Sequence, residues 1–469
     1  MALAPFAALA FIRIAECAKA AARRDALLED EQSSNDPECS NAHPREGSVC
    51  ETADDGYPGA MTSSVRRLAW TDAHLADIAL PSGVMSLTRN LTSGLCRSPG
   101  DDRHVFWGVG DRGPNIKPGA AADRYGAEQL RPLAALDGVK IMPLPLVGPA
   151  IARFRIMDQA IVLEDVIELT DQRGRAITGL PVPGAAHAEQ EPVYDLSARP
   201  LGTDPGGADT EGIAAMRDGT FWIAEEYGPS LLRVDRRGRV LTRWVPQGQG
   251  HCFEGAGYPI EEKLPPLASA RKLNRGFEAI AAPPDGSSVI VGFQSPLAHP
   301  DRQAHAHSRH VRIWELDGAS GDLIAEFVYP LDDPQSFLRD VAAGMVGTDD
   351  IKISEFQLIE GRTMLVLERA TLTTKIYRIT LDRAAQTHGS LADPVTRPTL
   401  EQVSNSDFRD AGIPVLIKEL VFSTDDHAQI CGDLEGMILL DAKTLLLSND
   451  SDFGIEGAQT QFWLVPLER

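Results

Sequence analysis

Glu211-Gly212-Ile213-Ala214-Ala215-Met216, a turn at Asp218-Gly219, and the return Phe221-Trp222-Ile223-Ala224-Glu225 decide how this chain folds. Two apolar runs of strand length flank a Gly-bearing turn, so the stretch reads as a β-hairpin. Its first and last residues face each other, which brings two carboxylates to one edge. The same unit recurs. Glu278 opens one with a turn at Asp285-Gly286 and an end at Gln294. Another runs from Glu355 through Glu360-Gly361 to Glu368, and another from Glu435 through Asp441-Ala442 to Asn449. A weaker copy runs from Ser93-Gly94-Leu95 to Asp111.

Third strands follow at Leu231–Val234, Val311–Trp314, Lys375–Ile379 and Phe462–Val465, and fourth strands at Val240–Trp244 and Leu323–Phe327. Four-stranded units at a recurring spacing predict an all-β fold, a single β-propeller of six or seven four-stranded blades. The last copy ends abruptly at Pro466-Leu467, so the segment Val65–Leu80 is expected to be the strand that completes the last blade, closing the ring with the C-terminal strands and removing an open edge. Residues 115–208 fit the repeat least. Ile161–Leu169 followed by Gln172–Arg175 reads as a further hairpin, and Pro181–Asp209 as a long loop. Ala298–Arg309 and Gln386–Asp410 read as polar insertions. The expected division is a disordered, acidic tail at 1–60 and a propeller at 65–469.

The formal net charge is −22, of which the first 60 residues, with 5 Lys/Arg against 11 Asp/Glu, carry −6. An acidic body argues against nucleic acid and anionic membranes as partners and favours cations, or small anionic substrates reached through bound cations. No apolar run is long enough for a spanning helix. Ala2–Ile12 with Ala18-Lys19-Ala20 has the outline of an export signal, but no basic residue precedes it, and Arg13 and Glu16 break the apolar stretch before the small-residue site. The expected location is periplasmic or secreted, with the cytoplasm as the alternative. Six cysteines include no C-x-x-C pair. Cys39 and Cys50 could close a loop in an exported chain, or remain free thiols.

The repeated acids would ring one mouth of the central channel. The ring comprises Asp111, Asp209, Glu211, Glu225, Glu226, Glu278, Glu355, Glu368, Asp433, Glu435, Asn449, Asp450 and Asp452. Oxygen ligands without Cys or clustered His favour a hard cation, calcium before magnesium. The expected metal ligands are Asp111, Asp209, Glu211, Glu355, Asp433, Glu435, Asn449, Asp450 and Asp452. Glu211, Glu225, Glu278 and Glu435 are the candidate catalytic acids. Arg112, Arg275, Lys352 and Arg369 lie within three residues of ring positions and could clamp an oxyanion. Each acid has an ordinary reading as a strand-end cap, and each Arg as a salt-bridge partner. His299, His305, His307 and His310 crowd one polar insertion, where His-x-His could bind a metal. There is no G-x-S-x-G, no P-loop and no dinucleotide-binding glycine motif.

Five motifs together resemble the phytase-like domain family, the family with esterase-like activity of phytase. They are Gly110-Asp111-Arg112-Gly113-Pro114-Asn115, Asp209-Thr210-Glu211-Gly212-Ile213, Ala224-Glu225-Glu226-Tyr227-Gly228-Pro229, Asn274-Arg275-Gly276-Phe277-Glu278-Ala279 and Asp433-Leu434-Glu435-Gly436-Met437. The resemblance spans roughly residues 80–469 and implies a propeller, often in exported bacterial proteins. It supplies no proven catalytic residue. Two functions stay open: a calcium-dependent hydrolase of phosphoric or carboxylic esters, and a non-catalytic propeller that binds a ligand or protein partner with structural calcium.

Overall fold

The repeated hairpins are the inner two strands of successive blades in the computed structural model, which describes residues 64–184, 190–403 and 407–467. Blade 1 is Gly94–Cys96, Val105–Val109, Ala150–Met157 and Ala160–Glu168. Blade 2 is Thr210–Ala215, Phe221–Glu225, Ser230–Val234 and Val240–Pro246, with Ile260–Leu264 added in parallel at its outer edge. Blade 3 is Phe277–Ala281, Ser288–Phe293, His310–Asp317 and Leu323–Pro330. Blade 4 is Lys352–Glu360, Thr363–Arg369, Thr374–Thr380 and Lys418–Ser423. Blade 5 is Leu434–Asp441, Thr444–Asn449, Phe462–Pro466 and Arg66–Leu68.

The turn chemistry is local. Gly219, Gly286 and Gly361 take positive φ between the inner strands of blades 2, 3 and 4. Asp218, Asp285 and Asp441 accept hydrogen bonds from the amides two residues on.

The blade number is five, which corrects the expected six or seven. Residues 115–208 supply no extra blade. Ala160–Glu168 pairs backwards onto Ala150–Met157 as the rim of blade 1, and the turn at 171–175 closes only a single bridge between Thr170 and Ala176. The remaining described residues of that stretch form the helix Pro118–Tyr125, the 3-10 segment Glu128–Ala135, a two-stranded pair of Lys140–Ile141 with Val193–Tyr194, and loops. A five-bladed ring has a small circumference, so neighbouring inner strands must approach closely. A Cβ on Gly94 would stand 2.5 Å from the Glu211 carbonyl, and one on Gly212 2.5 Å from the Glu278 carbonyl. Both positions therefore require glycine for space.

Apolar faces interlock between blades. Trp222, Phe277, Phe293, Trp314, Phe327 and Phe356 bury one large cluster across blades 2, 3 and 4. Closure follows the expected route only in part. Arg66–Leu68 pairs antiparallel with Phe462–Leu464, and Trp70 packs against Phe154 and Phe462. His74–Leu80 leaves the blade and forms a separate hairpin with Gly83–Thr88. Residues 1–60 lie outside the described residues, as do Cys17, Cys39 and Cys50; Cys96, Cys252 and Cys431 are free thiols. Deleting residues 1–60 is expected to leave solubility unchanged. Deleting through residue 80 removes Leu68 and Trp70, bares the Phe462–Pro466 edge, and is expected to drive aggregation. Equal solubility of the two truncations, measured by sedimentation, would contradict that role for the closing strand.

Candidate functional site at the propeller mouth

Each inner strand of blades 2 to 5 carries a β-bulge near its start. The extra residue is Glu278 in blade 3 and Glu435 in blade 5, while Glu211 shares the bulge with Gly212 in blade 2. In blade 4 the bulged residue is Ser354, not Glu355. A bulge re-aims one side chain out of the pleat. The sequence repeat placed Glu355 in phase with the other glutamates, and the register corrects this by one residue. The fully buried Glu355 carboxylate accepts the Leu95 amide of blade 1 at 2.9 Å and the Phe356 amide at 3.0 Å. Blades 4 and 1 are not neighbours, so Glu355 spans the channel as a bolt.

The blade 1–2 sector is the densest in acid. One carboxylate oxygen each from Asp209, Glu211 and Glu226 lie within 4.8 Å of one another, a grouping that could hold a metal ion. Arg112 is the cation inside it. Its Nη2 stands 2.9 Å from Asp209 Oδ2 and 3.9 Å from Glu226 Oε2. Its Nη1 pairs with Glu191 and donates to the Tyr227 hydroxyl at 3.2 Å, while Nη2 also donates to Asn274 Oδ1. One guanidinium cannot neutralise four acids. Burial first, then neighbouring carboxylates working against Arg112, push Asp209 up to about 8. Burial and the neighbouring Glu278, Asp209 and Glu226 hold Glu211 well above the carboxylate range. Buried Glu226 Oε1 accepts no hydrogen bond, and Asp209 Oδ2 is held by its ion pair with Arg112 alone. Crowded carboxylates with an orphaned oxygen fit a hard divalent cation. Asp111 lies alongside, raised by burial, Asp450 and Asp209, with its Oδ1 accepting the Gly113 amide.

The blade 3–4 sector is an arc of cations. Arg275 donates to Gln294 Oε1 at 2.8 Å and to the Asp349 carbonyl at 3.1 Å. Arg369 donates to Ser354 Oγ at 2.9 Å and to Asp433 Oδ1 at 2.8 Å, and pairs with Glu435. Lys352 faces Arg369 across the hairpin. Arg369 first, then burial and Arg275, pull its ammonium down to about 8. Glu278 is pushed up to about 7 by burial and by Glu226.

The blade 5 sector joins Glu435 to Asp450 and Asp452. Burial, against the pull of Arg369, lifts Glu435 to about 7; burial and Glu435 lift Asp450 to about 7. Asp452 rises to about 6, chiefly through Asp450. Asn90 donates to Asp450 Oδ1 at 2.8 Å and is 2% exposed.

Other predicted ring members are engaged elsewhere. Glu225 accepts the Tyr227 amide, the Ser230 hydroxyl and Arg243, fully buried between loops of blade 2. Glu368 accepts the Tyr329 hydroxyl, the Asp332 amide and Lys418. Asn449 binds the carbonyls of Asp450 and Gln459 and the Gln461 amide, so its side chain ties a loop. The four histidines do not converge: His305 is held by the Pro296 carbonyl and Asp349, and His310 by the Leu400 carbonyl. Among the described residues no other group of three His, Cys, Asp or Glu matches the Asp209–Glu211–Glu226 spacing. Residues absent from the predicted set are Glu191, Tyr227, Asn274, Ser354 and Asn90. Tyr227 stood inside a quoted motif, whereas Glu191 sits in an aperiodic Pro- and Gly-rich loop that carries no signal.

No helix among the described residues is long and apolar enough to cross a membrane. The chain is 27% identical over 261 residues to an uncharacterized secreted protein of Arthroderma benhamiae; the match covers 50% of this chain and 48% of that protein, so the chain spans about half the length of this relative. Among solved structures it is similar to the PQQ-bound aldose sugar dehydrogenase of Streptomyces coelicolor, with TM-score 0.30, 11% identity, and 86% and 98% of the two chains covered. It is also similar to the Malassezia sympodialis allergen Mala s 1, with TM-score 0.35, 9% identity, and 83% and 82% covered. Residues 92–453 match the phytase-like family, described as esterase-like activity of phytase, and the chain belongs to that family.

Proposed function

We propose that this chain is a calcium-dependent ester hydrolase acting at the propeller mouth on a small anionic ester, and that it works outside the cytoplasm. The family and the secreted relative support the class and the location. The observation that carries the reading is a three-carboxylate group with an orphaned Glu226 oxygen beside an arc of cations. Asp209, Glu211 and Glu226 would hold the cation. A divalent ion there would screen the substrate's charge and acidify a bound water. Arg275 and Lys352 would receive the substrate's anionic group. Glu278, holding a proton near neutrality, would give it to the departing alkoxide oxygen as water's oxygen joins the acyl or phosphoryl centre. Glu435 would keep Arg369 in place, and Glu225 would fasten the loop that presents Glu226.

A second reading has its own support. Arg112 is already paired with three carboxylates and Arg369 with two, as expected of a rigid binding propeller with a structural cation. A panel of phosphate and carboxylate esters, assayed with calcium and with chelator, separates the two. Calcium-dependent turnover is expected, with Glu226→Gln lowering kcat/KM by about a hundredfold. Absence of turnover on every ester would leave the binding reading.

A further inference from the structure

The guanidiniums of Arg112, Arg275 and Arg369 at the mouth are all engaged by acids, amides or carbonyls. The Lys140 ammonium donates to Asn115 Oδ1 at 3.1 Å. Lys352 differs. It is half-buried at the start of the blade 4 inner strand, and its Nζ has no hydrogen bond or ion pair among the described residues. Arg369 stands opposite it in register, and Arg275 is its second cationic neighbour. Glu278 and Glu435 flank it, and Glu278 Oε2 is buried without a hydrogen-bond partner. A desolvated amine crowded by other cations is the arrangement that frees a lysine lone pair for attack.

We propose that Lys352 is an amine nucleophile that captures a small anionic aldehyde or ketone as an imine on the blade 3–4 side of the mouth. The cationic arc draws the anion in. Nζ forms the C–N bond while the carbonyl oxygen takes a proton from a flanking carboxyl. The nitrogen returns its two protons through that carboxylate, and the oxygen leaves as water. Amine and carbonyl thus become imine and water, with no oxidant or reductant. The low ammonium pKa supports the step: at pH 7.5 the free-amine fraction is on the order of a hundred times that of an ordinary lysine.

The test uses the full chain, glyoxylate as the anionic probe, and cyanoborohydride to trap the imine. Peptide mass spectrometry then compares the chain's nine lysines. Lys352 is expected to be modified about tenfold faster or more than exposed Lys117, with acetaldehyde much slower at the same site. Lys352→Arg should abolish the fast phase while preserving the charge. Modification of Lys352 no faster than Lys117, or an unchanged fast phase in Lys352→Arg, overturns the proposal. The readout needs neither calcium nor ester turnover, so its failure and that of the hydrolase reading are separate results.

Discussion

Calcium at a hundred times its dissociation constant is expected to raise the Tm of the full chain by about 3 °C, and chelator to reverse the gain. Binding to the native state alone contributes about 2.7 kcal/mol at that ratio. Spread over the unfolding entropy of roughly 400 ordered residues, this becomes about 3 °C. The seat is the Asp209, Glu211 and Glu226 group, whose oxygens lie within 4.8 Å of one another. Without an ion, repulsion there is relieved by Arg112, by Arg271 and Arg275 acting on Glu226, and by protonation.

The double substitution Glu211→Gln with Glu226→Gln sharpens the expectation. It keeps side-chain shape, removes two of three charges, and should abolish the calcium response. It should also leave the calcium-free protein at least as stable as the unsubstituted one, because the repulsion is gone while Arg112 keeps Asp209 and Glu191. Scanning calorimetry with calcium and with chelator measures both effects. Identical melting of the unsubstituted chain under the two conditions would remove the cation from the account. A response that survives the double substitution would move the seat elsewhere.

The blades were legible because hairpin signals are local: apolar runs, a Gly or Asp turn, and a polar residue at each end. Blade number was not, because it depends on how the least regular stretch is spent. Ala150–Met157 and Ala160–Glu168 are ordinary strands, but nothing within them says that they complete blade 1 rather than begin another. The ring of acids was legible as composition at one end of the strands. The phase of each acid was not. One bulge moved from Glu to Ser354 sends Glu355 across the channel, and a period-two pattern cannot report a one-residue insertion in pairing. Likewise Glu225 and Glu226 are adjacent in sequence, yet one is saturated by Arg243 and loop amides while the other keeps an orphaned oxygen in the acidic group. The difference comes from Arg243, a strand residue of the same blade with no motif of its own. Glu191 reaches Arg112 from a long loop whose position only the closed ring defines.

Acidification from pH 8 to pH 5 in chelator is expected to stabilise the fold by about 2–4 kcal/mol, the reverse of ordinary acid behaviour. Glu278, Glu435 and Asp450 each titrate near 7 in the native state, against ordinary values near 4. Their native pKa values are raised, so the folded form binds protons more tightly than the unfolded chain. That contribution is complete below pH 4 and is lost as pH rises through 7. Asp209, pushed up to about 8, acts in the same direction. Two groups oppose. Buried His299 and His305 have lowered values and favour the unfolded chain as they protonate. Lys352, lowered to about 8, has nearly completed its own loss by pH 8. Carboxylates held low by partners, such as Asp332 at about 2, weaken the fold only below the window. Five raised acids, Asp452 at about 6 among them, against two histidines leave the net sign positive, although shared protons keep the sum below three full shifts. Urea unfolding at pH 5, 6, 7 and 8 measures the slope. Glu435→Gln with Asp450→Asn should lower it, because both groups then remain neutral across the range while Glu278 and Asp209 still titrate. A stability that is level, or that falls on acidification, would mean that these buried acids keep their charge at neutral pH, and that Arg369 and Lys352 neutralise the mouth without shared protons.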